Sequence, residues 1–152
     1  MTPKELRTRW RGALRYLRRV IEAMPEDQLY LRDPSDSLKP ADGVKTFASQ
    51  GAHILTWLRT HSRFVTGETL EKASAKTRDE QLAALDDLAA RLDTYLAAVT
   101  PEELAGEVKV FYGKRSRAAV LATMENHLAH HRGQMVTYLR VAGVATPGYV
   151  GW

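Results

Sequence analysis

The chain contains no cysteine. That excludes disulfides, thiolate metal sites and a cysteine nucleophile, and it is compatible with a cytoplasmic protein. No apolar run approaches the ~20 residues that span a bilayer. The N-terminal stretch MTPKELRTRWRG has arginines but no apolar segment behind them, so no signal peptide is visible. Internal repeats, low-complexity tracts and sustained strand patterns are also missing. Net charge is only +4, and much of it comes from the first 20 or so residues. Hydrophobic (44%) and charged (26%) content is that of an ordinary globular chain, which argues against disorder. The 152 residues suit one domain, taken as residues 1–152.

What is present is helical periodicity. Leu6, Trp10, Leu14, Leu17, Ile21 and Met24 recur at steps of three and four, giving Pro3 to Met24 one apolar face. Pro3 suits a first helical turn, where its missing N–H does no harm. Arg7, Arg9, Arg11, Arg15, Arg18 and Arg19 spread around the remaining circumference. Lacking aromatic interleaving or a known motif, they read as a solvated face, and a nucleic-acid partner is not expected. Pro25 to Pro40, rich in Pro, Asp and Ser, reads as a long connection pinned by Leu29, Tyr30 and Leu31.

A second helix is expected from an N-cap at Asp42 to about Thr60 or Val65, with Val44, Phe47, Ala48, Gly51, Leu55 and Leu58 on its main apolar face. After a polar connector, Thr77-x-x-Glu80 forms a capping box for a third helix. Its stripe reads Leu82, Leu85, Leu88, Leu92, Tyr95 or Leu96, and Val99. Thr100-Pro101 should stop that helix. Glu107 to Gly113 should form a short extended stretch or irregular hairpin, and Gly113 to Ser116 should turn the chain. Ser116 can cap the last helix, Gly143 suits its left-handed end, and the tail to Trp152 should pack back on the body. Four amphipathic patterns predict an all-α four-helix bundle, with a long crossover permitted between the first two helices.

The chemistry is concentrated between Val120 and Leu139. On a helix, Val120, Met124, His127, Leu128, His131, Met135 and Tyr138 share one face. Imidazoles one turn apart, with Cβ atoms about 5–6 Å from each other, can converge on one ion. A hydrogen-bonded core pair is the alternative, but two such rings repel when both are protonated and waste donors when both stay dry. The run HLAHH lacks the glutamate of H-E-x-x-H, which disfavours a thermolysin-like peptidase. A catalytic metal takes three protein ligands and keeps one position open. The best third ligand is His53, which shares a polar-to-aromatic face of the second helix with Gln50 and Trp57. His61, or a carboxylate between Asp33 and Asp42, is the substitute. His130 lies off the stripe with Asn126 and Gln134, which suits a surface or supporting position.

The segment His127-x-x-x-His131-Arg132-Gly133-Gln134, followed by Gly143 and Pro147, resembles the DinB-like superfamily, which includes bacillithiol and mycothiol S-transferases. His53-Ile-x-x-Trp57 is similar to the second helix of that family, and the likeness in element order covers nearly the whole chain. The resemblance implies a four-helix bundle with a divalent metal (zinc, nickel or iron) on His53, His127 and His131. It further implies a cytoplasmic, often dimeric protein. The implied activity is metal-dependent S-transfer between an external low-molecular-weight thiol and a small electrophilic substrate. Metal-dependent hydrolysis at the same site is one competing reading. A non-enzymatic DNA-damage or stress-associated binding role is another. Arg132 and Gln134 are candidates for orienting ligands, although Arg132 lies off the stripe and reads as structural.

Overall fold

A computed structural model describes residues 1–30, 46–69 and 75–149. Helix α1 (Pro3–Ala23) opens on a capping box in which the Thr2 hydroxyl accepts from the Glu5 N–H and the Glu5 carboxylate accepts from the Thr2 N–H. Helix α2 (Phe47–Thr66) is capped by the Thr46 hydroxyl, which accepts from the Ser49 N–H. The helix thus starts later than an Asp42 cap implies, because Thr46 supplies the oxygen that the first turn needs. Asp42 and Val44 themselves lie outside the described residues. Gly67, with φ of 77°, ends α2 by donating its N–H to the Arg63 carbonyl.

Helix α3 (Arg78–Ala98) begins with the Thr77–Glu80 capping box. Its buried stripe is Gln81, Ala84, Leu85, Leu88, Leu92 and Leu96, so Leu96 rather than Tyr95 faces the core and Leu82 is only half-buried. The stripe turns this way because Gln81 has a polar task inside. Its Nε2 donates to the Ala48 carbonyl at 2.8 Å and the Ala75 carbonyl at 3.0 Å. Gly51 on α2 makes room for that amide, which a Cβ at position 51 would strike.

Thr100-Pro101 does more than stop α3. Thr100 and Glu103 form a further capping box, which starts the short helix α4 (Pro101–Ala105). Strands β1 (Glu107–Val110) and β2 (Gly113–Ser116) then pair antiparallel, with Val110 opposite Gly113. Gly113 to Ser116 is therefore a strand, and the turn falls on Phe111 and Tyr112. Gly113, at φ 117°, supplies the backbone freedom at the turn's end. The hydroxyl of Ser116 caps helix α5 (Arg117–Val141) through the Ala119 N–H. Past its end Gly143 takes φ 70°, and Val144 donates its N–H to the Leu139 carbonyl.

The four long helices form a ring in which α1 packs on α3, α3 on α2, α2 on α5 and α5 on α1. Consecutive helices α1 and α2 thus stand diagonally, as a crossover requires. Trp10, Leu17, Ile21, Phe47, Ile54, Leu58, Leu88 and Leu92 fill the interior. Each such side chain contributes about 1.5–3 kcal/mol by leaving water. Leu29 is buried and accepts from the Ala48 N–H, whereas Tyr30 is exposed and Leu31 lies outside the described residues. In the tail, Tyr149 packs edge-on against Tyr16, and Trp152 is beyond the described residues. Four of the arginines on α1 are ion-paired: Arg7 and Arg11 with Asp93, Arg9 with Glu125, and Arg18 with Asp86 and Glu22. Among the described residues no helix is long and apolar enough to cross a membrane.

Candidate metal centre

Close packing of α2 on α5 joins what the sequence separates by more than 70 residues. His53 from α2 meets His127 and His131 from α5, and one ring nitrogen of each lies within 4.8 Å of the other two. The Nε2 atoms of His53 and His127 are 3.1 Å apart. Two nitrogens bound to one ion at about 2.0–2.1 Å stand roughly 3.0–3.4 Å from each other, so this separation fits a shared ion. All three rings are half-buried. Among the described residues this is the one cluster of three or more such side chains that could hold a metal.

The third ring is oriented from behind. His131 Nδ1 lies 2.8 Å from Gln50 Oε1 and 2.9 Å from Gln134 Oε1. Two carbonyl oxygens can both be satisfied only if Nδ1 carries the proton, which leaves the lone pair on Nε2. Supporting groups of this kind fix the tautomer of a metal-binding histidine. Gln50 is buried, so its hold on the ring is not diluted by water. His127 is kept neutral by its surroundings. Burial, followed by repulsion from the His131 and His53 rings, pushes its pKa down to about 4. Near pH 7 it therefore offers a lone pair rather than a charge.

Trp57 stacks on His127, with ring centroids 4.2 Å apart and planes 19° from parallel. On Trp57 also lies His61, fully buried, with its centroid 3.8 Å away. His61 does not join the three-ring cluster. Its Nδ1–H donates to the Trp57 carbonyl at 3.0 Å, and burial lowers its pKa. The carboxylates between Asp33 and Asp42 lie outside the described residues. His130 is exposed and accepts from Gln134, off the site as its position on the helix implies. Arg132 is buried, donates to the Ala13 carbonyl at 3.1 Å and lies over the Tyr16 ring, tying α5 to α1.

Gln50, on the His53 face of α2, and Gln134, a candidate for orienting ligands, both fall at the site as the sequence suggests, but their meeting on one imidazole was not visible there. Phe111 and Tyr112, at the hairpin turn, bring aromatic rings to Trp57 and His61 across a segment without helical period.

Residues 9–135 match the family model described as DinB superfamily. Among solved structures, a DinB-like protein from Bacillus cereus is similar with a TM-score of 0.78 and 21% identity, covering 98% of each chain. A DinB-like protein from Bacillus subtilis is similar with a TM-score of 0.72 and 18% identity, covering 95% of this chain and 96% of that one. At these identities the likeness is one of fold. No curated protein matches the sequence.

Proposed function

Since the chain belongs to the DinB superfamily, we propose that it is a metal-dependent S-transferase that joins an external low-molecular-weight thiol to a small electrophilic substrate. In this reading His53, His127 and His131 are the protein ligands of a divalent ion, zinc, nickel or iron. The observation that carries it is the convergence of three imidazoles in a chain that has no cysteine of its own. When bound, a divalent ion lowers the pKa of a coordinated thiol, so that the thiolate forms near neutrality.

The side chains divide the remaining work. Gln50 and Gln134 hold the proton of His131 on Nδ1, away from the ion. Burial keeps His127 unprotonated. Trp57 covers one face of His127 and limits water there. Beyond Trp57 the rings of His61, Phe111 and Tyr112 extend an aromatic wall beside the three histidines. A cytoplasmic location and a homodimeric assembly complete the reading.

The test is metal analysis of untagged protein, followed by turnover of a generic electrophile with several low-molecular-weight thiols, each with and without metal. Near-stoichiometric metal and a metal-dependent, thiol-dependent rate are expected, both reduced in His131→Ala. A metal-dependent rate that needs no thiol would replace transfer by hydrolysis. No rate above background with any thiol would leave a binding protein.

A further inference from the structure

On the side of the ring away from the three histidines, α1 and α3 enclose a cleft of about 270 Å³. Arg7, Arg11 and Arg15, one turn apart on α1, line it together with Trp10, and Asp93 faces them from α3. We infer that this cleft is a second binding site, specific for a small molecule that carries an oxyanion on a short apolar body.

The charge balance points there first. Asp93 is the one acid lining the cleft among the described residues. Its Oδ1 accepts from Arg7 Nε at 2.8 Å and Arg11 Nε at 2.6 Å, and its Oδ2 accepts from Arg7 Nη2 at 2.8 Å and Arg11 Nη2 at 2.9 Å. A carboxylate has about four lone-pair positions, so Asp93 is saturated. Each of the two guanidiniums still has N–H groups to give, because arginine carries five. Arg15 is exposed and has no ion pair among the described residues. Three cations against one filled carboxylate leave an excess of two positive charges at the rim.

The wall points the same way. Trp10 is 1% exposed, and its indole N–H has no hydrogen-bond partner. Its ring lines the cleft and adds an apolar wall beside the arginines. Leu14 and Leu92 supply an apolar floor beneath the arginines. The volume lies just under the usual range for ligand pockets, which limits the occupant to a small molecule.

Calorimetry on the full-length untagged protein at low ionic strength tests this with hexanoate, hexyl phosphate, inorganic phosphate and hexylammonium. One of the two hexyl anions should bind saturably at one per chain, and which of them does so separates carboxylate from phosphate chemistry. Hexylammonium should not bind. Arg15→Gln, at an exposed position, should weaken the anion on the order of tenfold while leaving melting temperature and metal content unchanged. Trp10→Phe, which trims the ring that lines the cleft, should also weaken it. The inference is overturned if neither hexyl anion saturates, if hexylammonium binds equally, or if affinity survives Arg15→Gln. Inorganic phosphate binding as tightly as hexyl phosphate would remove the apolar body from the assignment. A change in sedimenting mass in Arg15→Gln, without anion binding by the parent, would make this face an interface between copies instead.

Discussion

Gln50→Leu is the sharpest probe of how the three rings are presented. Leucine keeps most of the buried volume of Gln50 but removes one of the two oxygens that hold His131 Nδ1, at 2.8 and 2.9 Å. Loss of such an outer partner typically lowers metal affinity 10–100-fold, or about 1.4–2.8 kcal/mol. Gln134 would still accept the same N–H, so either single change alone should fall below that range, at about threefold. Gln50→Leu with Gln134→Leu should approach a hundredfold, because either ring nitrogen can then carry the proton. The two changes should couple rather than add simply, since they share one hydrogen atom. Zinc and nickel affinities of the parent, both single variants and the double variant can be read by competition with a chromophoric chelator. Circular dichroism melts would verify that each remains folded. If the double variant folds normally and loses less than twofold in affinity, Nε2 of His131 is not the ligand atom, and the three-ring assignment fails with it.

Other perturbations separate the site from the scaffold. Chelation should lower the melting temperature but leave helical circular dichroism at ambient temperature, because four apolar helix faces hold the bundle; loss of helicity on chelation alone would mark a structural metal. The pKa of His127 is lowered to about 4 from an ordinary 6.5, so the folded, metal-free protein binds fewer protons than the unfolded chain. Its stability should therefore be intact above about pH 6.5 and fall as the pH drops toward 4. Melting curves of metal-free parent and His127→Phe across that window would show this, and identical slopes would refute it. Gly51→Ala should press a methyl group onto the Gln81 amide and disturb its bonds to Ala48 and Ala75. A loss of about 1–3 kcal/mol is expected, or several degrees in melting temperature. An unchanged melt would show that Gln81 repacks freely.

The parts of this molecule that repeat with a helical period are legible in the sequence. The α1 stripe from Leu6 to Ile21 is buried as its spacing requires, and the Thr77–Glu80 box opens α3 where its residue types place it. His53, with Gln50 and Trp57, lies on the face of α2 that meets α5, because a semi-polar second face on a buried helix needs a partner surface. Less legible were features decided by groups far apart in sequence. Gln81 takes the fully buried position and leaves Leu82 half-buried at the core's edge because Ala48 and Ala75 offer carbonyls to its amide. Helix α2 starts after Thr46 because its hydroxyl serves the first turn, and periodicity cannot rank one N-cap residue type in the segment against another. In α4 the Thr100–Glu103 box was masked by Pro101, which punctuates one helix and initiates the next with equal ease.

The hairpin between α4 and α5 has a consequence for how this site can change over time. Phe111 is 67% exposed, so its own replacement should disturb the interior little, yet its ring reaches the far side of Trp57, one ring removed from His127. The three imidazoles belong to the rigid ring of helices, while the surface beside them ends in a two-residue turn anchored by the Gly113 backbone. Drift at position 111 can therefore remodel the surface beside Trp57 without reopening the problem of folding, whereas Tyr112, packed on His61, is held by the core. The histidine cluster and the surface beside it are thus carried by different stretches of chain.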